Sequence, residues 1–160
     1  MREPKKDIAL IISAILLVLS VMNVHVNGIC KGCSIIDRLT YSFYHANIVH
    51  AGINIYVYLG MVFLLGSSML DMVIAYVICV CVPPMMLTHT TTIGLSGFVY
   101  ALIGIKTFYV TNPIKYTLSV IIPLIFTSFF PYVAFGVHIW CYAVGVICSI
   151  IILCAKKLRR

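Results

Sequence analysis

Ser96 sits between glycines in Gly94-Leu95-Ser96-Gly97, and His138 opens a second apolar run some forty residues later. A serine hydroxyl becomes a useful nucleophile only when a base takes its proton, and histidine is the side chain best suited to that near neutral pH. His50 and Asn54 add two polar groups inside another apolar run. They are four residues apart, so a helix puts them on one face about 6 Å apart along its axis. Ser96, Tyr100 and Gly104 follow one another along a face in the same way, and His138, Cys141 and Gly145 fall at i, i+3 and i+7. The chemistry that the serine and histidine suggest is acyl transfer by a nucleophile and its base.

The elements that must hold these residues are apolar. The 160-residue chain is 62% hydrophobic and 9% charged, with mean hydropathy +1.12. About twenty apolar residues suffice to cross a bilayer as a helix. Six such runs can be marked, at about 8–27, 46–66, 69–87, 93–111, 114–134 and 136–155. They predict an all-α, six-helix membrane bundle forming a single polytopic domain over residues 1–160. The first run follows Arg2, Lys5 and Lys6 as a signal peptide would, but no small-x-small cleavage site ends it, so it reads as a retained helix.

A net charge of +7 raises the question of nucleic acid, and its distribution answers it. With six spans, both termini and the connection around Lys106 and Lys115 lie on one side of the membrane. Nine of the eleven Lys and Arg residues are there, leaving Lys31 and Arg38 on the other. The positive-inside rule then makes both termini cytoplasmic, and topology accounts for the charge without a nucleic-acid partner. The same topology brings His50, Asn54, Ser96 and His138 to one shallow depth below the outer face. Polar groups within a bilayer are costly and usually face a bundle interior or a wet cavity, so a shared site follows. His25 and His89 fall near the outer surface.

The absences narrow the chemistry. The only acids are Glu3, Asp7, Asp37 and Asp71, all at ends or connections. No intramembrane aspartate pair is available for an aspartyl protease, and no His-Glu-x-x-His for a zinc protease. A serine–histidine pair would work without a carboxylate, a metal or a cofactor, and Tyr100, one turn below Ser96, could orient His138 by stacking. Cys30 and Cys33 form a Cys-x-x-Cys in the first outer connection. No second ligand pair completes a zinc site, leaving a local disulfide or two free thiols. Residues 28 to about 44 are the one connection long enough to fold on the outer surface. Pro83-Pro84 closes run three, and Pro123 should kink run five or weaken a backbone bond.

These residues resemble the rhomboid family of intramembrane serine proteases. Gly94-Leu95-Ser96-Gly97-Phe98-Val99-Tyr100-Ala101-Leu102-Ile103-Gly104 resembles the family's nucleophile motif. His45-Ala46-Asn47-Ile48-Val49-His50-Ala51-Gly52-Ile53-Asn54 with Tyr58-Leu59-Gly60 resembles its second-helix motif, and Gly136-Val137-His138 with Gly145 its sixth-helix motif. The matches span residues 43–145, about two thirds of the chain. The resemblance implies that Ser96 is the nucleophile and His138 its base. It implies that His50, Asn54 and the Ser96 backbone N–H stabilise the oxyanion, that Tyr100 holds His138, and that His45, Gly94 and Gly97 support the site. It further implies a lateral gate formed by run five, with Pro123 and Phe129-Phe130-Pro131 as its moving part. Substrates would be single-span transmembrane proteins cut near the outer face, in the lipid bilayer of a cell membrane such as a bacterial inner membrane.

The chain departs from the family at Val137, where a small residue usually precedes the histidine, and at Cys141, where glycine is common. Both add volume where runs four and six meet. The first outer connection lacks the family's Trp-Arg pair and has Arg38 alone. A catalytically silent rhomboid-like protein that binds membrane clients is one alternative, opposed by the retained serine and histidine. A small transporter or channel is a more distant one, opposed by the lack of intramembrane acids.

Overall fold

The computed structural model describes residues 4–22, 27–129 and 133–158. Seven α-helices and three 3-10 turns account for the regular structure, and no strand occurs among the described residues. The helices are α1 (Pro4–Val21), α2 (Ile35–Thr40), α3 (Ile48–Phe63), α4 (Met69–Val80), α5 (Ser96–Lys106), α6 (Pro113–Thr127) and α7 (Phe135–Leu158). His25, Phe130 and Pro131 lie outside the described residues; His89 is exposed.

Local chemistry explains most boundaries. Ser34 and Ser68 each accept the N–H three residues on, from Asp37 and Asp71, whose carboxylates reach back to the serine N–H. These reciprocal caps start α2 and α4. Asn47 and Asn112 cap α3 and α6 through the N–H groups of His50 and Lys115. α4 stops at Val80, well short of the expected 87, because Pro83-Pro84 cannot supply helical N–H groups; residues 84–86 make a 3-10 turn instead. α6 continues through Pro123 but ends at Thr127 rather than 134, and it buries only Leu124.

α5 is the centre of the fold. Eight of its eleven residues are buried, on every side, and it packs most extensively on α7, then on α4 and α3. The outer helices bury single stripes. α1 buries Ala9, Ser13, Leu16 and Ser20, and α3 buries Ala51, Asn54, Ile55, Tyr58, Met61 and Val62. Contact between α5 and α7 is close because Gly104 faces the Tyr142 carbonyl, and Gly145 faces the Ala101 carbonyl, which a Cβ would meet at 2.5 Å.

Lys106 closes α5 and Asp71 lies in the first turn of α4, both at the connections where the sequence puts them. Both are buried, and Lys106 Nζ bonds Asp71 Oδ2 at 2.7 Å, joining the end of α5 to the start of α4. A buried pair is dangerous to split, since the survivor stays uncompensated. Lys106→Met is expected to lower the unfolding free energy by about 3–5 kcal/mol, measured by steric trapping in bicelles. Adding Asp71→Asn should recover most of it. A single variant as stable as the parent would mean the pair carries no weight.

Among the described residues, only α7, at 24 residues, is long and apolar enough by itself to cross a membrane. The segment Ile35–Phe43 and α3 pass that test together but meet at 84°. α1 has the length, but Lys5, Lys6 and Asp7 crowd its first turns. α4 and α6 are shorter apolar helices, and α5 has 11 residues.

Candidate active site

Ser96 is the first residue of α5, not a residue one turn inside it as the expected run from 93 implied. The cause is local. Gly94 has φ +128°, a conformation that a residue with a side chain rarely adopts, so the helix begins after it. The lead-in is pinned on both sides: Gly94 N–H donates to the Tyr41 carbonyl at 3.0 Å, and Leu95 N–H to His45 Nε2 at 3.2 Å. Ser96 and Gly97 thus present first-turn N–H groups, which have no i−4 acceptor within a helix, at its positive end.

His138 lies in the first turn of α7, buried, with Nε2 2.8 Å from Ser96 Oγ. For Nε2 to accept the serine proton, Nδ1 must carry the other hydrogen. Nδ1 is buried without a hydrogen-bond partner, so among the described residues no carboxylate or carbonyl orients the ring. The Tyr100 ring stacks on it instead, with centroids 4.6 Å apart and planes 28° apart. Carboxylates are committed elsewhere: Asp37 caps α2, Asp71 pairs with Lys106, and Asp7 stands at the start of α1. Glu3 is outside the described residues.

Val137 and Cys141 do not hold the two side chains apart. Val137 is buried and occupies the space that Gly97 leaves empty; a Cβ on Gly97 would meet Val137 Cγ1 at 3.2 Å. Cys141 is fully buried against Cys79 of α4. The extra volume is taken up at Gly97 and against Cys79 of α4.

α3 supplies the remaining polar groups. The His50 ring lies over Gly94, where a Cβ would stand 2.9 Å from its Cε1. The absent side chain is therefore what admits His50 to the start of α5. Asn54, one turn on, is buried with Nδ2 unpartnered. It lines a cavity of about 230 Å³ with Val99, Tyr100, Ser119 and Pro123, between α3, α5 and α6. His45 precedes α3 and meets His50 edge to face, with ring centroids 5.2 Å apart. Burial, and then the His50 ring, push the His45 imidazole down to about 4. It is therefore neutral at pH 7, which leaves Nε2 free to accept the Leu95 N–H.

Two contributors were not legible beforehand. Tyr41 is almost fully buried, gives its carbonyl to Gly94, and directs its hydroxyl to the carbonyl and thiol of Cys79. It lies in an aperiodic stretch that carries no pattern for its role. Ile29 pairs with Thr92 in an isolated antiparallel bridge that steadies the same lead-in from the other side. Arg38, the lone basic residue of that region, donates to the Val82 carbonyl at 2.6 Å and ties α2 to the end of α4. No group of His, Cys, Asp and Glu that could hold a metal ion occurs among the described residues. Comparison of the chain with protein-family models, with curated proteins and with solved structures finds no match.

Proposed function

We propose that this protein is an intramembrane serine endopeptidase of the rhomboid type, cutting single-span membrane proteins near the outer membrane face. The observation that carries the reading is the 2.8 Å contact between Ser96 Oγ and His138 Nε2 at the N-terminus of the central helix. His138 takes the serine proton as Oγ attacks the scissile carbonyl, then gives it to the leaving amine. Negative charge develops on the former carbonyl oxygen beside the Ser96 and Gly97 N–H groups, with His50 and Asn54 across the gap. Each such donor is worth roughly 2.7–4 kcal/mol in the transition state. Water then hydrolyses the acyl-enzyme with His138 as base. No metal or cofactor enters any step.

Several features support the membrane setting. Outward-facing side chains such as Tyr56, Leu64, Leu70, Ile114 and Ile122 are at least 63% exposed, an apolar surface a soluble monomer does not usually present. In the proposed topology α1, α3, α4, α5, α6 and α7 are six spans with both termini cytoplasmic. The short α5 needs no full span of its own, because protein surrounds it and satisfies its ends. Of these six, α6, with one buried residue and a proline at position 123, buries the least and serves as the gate. It borders the cavity that holds Asn54 and Tyr100, so its displacement would admit an unwound substrate strand.

A fluorophosphonate probe applied to the protein in lipid is expected to phosphonylate Ser96, located by peptide mapping, and to leave Ser96→Ala unlabelled. Labelling confined to other serines, or none at all, would remove Ser96 as the nucleophile. The test needs no knowledge of the natural substrate.

A further inference from the structure

We propose that Cys30 and Cys33 form a dithiol–disulfide exchange site, and that its closed form braces the segment leading to Ser96. Both thiols are free and half-buried in the structure. Cys33 N–H donates to the Cys30 carbonyl at 3.2 Å, and Gly32 between them has φ +86°. These are the marks of a type II turn, which requires a positive φ at its third residue. Such a turn brings its first and last Cα atoms within 7 Å, and a disulfide spans Cα separations of about 4.4–6.8 Å. The turn therefore holds the two cysteines in a range from which a disulfide can close. A Cβ on Gly32 would have nothing within 4 Å, so an incoming reagent has room on that side of the turn.

The position of the turn gives closure a consequence. On its N-terminal side, Ile29 exchanges both backbone hydrogen bonds with Thr92, and Lys31 N–H donates to the Thr88 carbonyl. On its C-terminal side, Ser34 caps α2, which runs into Tyr41, the acceptor for Gly94 N–H. Cys30 and Cys33 thus join the two supports that hold residues 92–94 on either side. The reaction is thiol–disulfide exchange with a small-molecule disulfide. One cysteine thiolate attacks a sulfur of the disulfide and expels one thiol. The second cysteine then attacks the mixed disulfide and expels the other. The chain loses two hydrogens and is oxidised, while the reagent is reduced to two thiols. This site stands apart from peptide-bond hydrolysis and is tested without it.

Protein in phospholipid nanodiscs would be equilibrated with graded ratios of oxidised to reduced glutathione, acid-quenched, alkylated with N-ethylmaleimide and mapped by mass spectrometry. With rising oxidised glutathione, the peptide holding Cys30 and Cys33 is expected to pass from doubly alkylated to unalkylated and free of glutathione. Cys30→Ser should instead trap glutathione on Cys33. In the oxidised protein, amide exchange at Ile29, Lys31 and Thr92 should slow by roughly tenfold, the scale set by chain entropy for so short a loop. Double alkylation at every ratio, a glutathione adduct that persists on the parent, or pairing with another cysteine would overturn the site. A closed disulfide with unchanged amide exchange would overturn the bracing role.

Discussion

Ser96→Ala and His138→Ala are each expected to cut the rate of cleavage of a transmembrane reporter in lipid by roughly 10⁴-fold or more. The reasoning is geometric. Among the described residues, His138 Nε2 is the one base in contact with Ser96 Oγ, and the histidine has no hydrogen-bond partner on its other nitrogen. Residues that act as one unit are grossly non-additive, so the double variant should be no slower than either single one. Fold and site can be separated in the same experiment. Ser96 is half-buried and its side chain makes this one hydrogen bond among the described residues, so Ser96→Ala should change unfolding free energy by about 1 kcal/mol or less. Reporter cleavage at the parental rate by Ser96→Ala would sink the assignment.

Gly104→Val should also damage activity strongly, although it touches neither reacting side chain. A Cβ at position 104 would run into the Tyr142 carbonyl and stand 2.9 Å from Val146 N. These are backbone atoms of α7 and cannot rotate away, so the helices must separate. Overpacking of this kind costs about 1–3 kcal/mol, and the rigid backbone of α7 puts this site at the upper end. Ser96 and His138 ride on these same two helices. A displacement of about 1 Å between them is enough to cost about 10²-fold in rate for molecules that remain folded. Gly60→Ala is the control: a Cβ there meets nothing within 4 Å, so stability and rate should stay near the parent's. If Gly104→Val cleaved as fast as that control, close α5–α7 contact would not be what sets the serine–histidine distance.

Much of the helical frame was legible because it depends on near neighbours along the chain. Apolar runs, the four-residue spacing of His50 and Asn54, and the prolines after α4 are all local facts. So are the Ser-x-x-Asp caps at Ser34 and Ser68, which start α2 and α4. The run boundaries drifted where apolar composition continued past the structural stop. Leu87 and Ile93 are as hydrophobic as their helical neighbours, but proline ends α4 and the Gly94 backbone delays α5.

What the sequence determined by itself was the all-helical class and the inventory of polar groups that apolar segments would have to carry. Those follow from periodicity, propensity and composition, which act within a few residues. Tertiary structure decided everything that spans helices: that residues 96 and 138 meet at 2.8 Å, that Gly97 absorbs the bulk of Val137, and that Gly94 makes room for His50. It also turned two apparent boundary charges, Asp71 and Lys106, into a buried pair. Such distances depend on how side-chain volumes fill the space between helices, and no spacing along one chain encodes that sum.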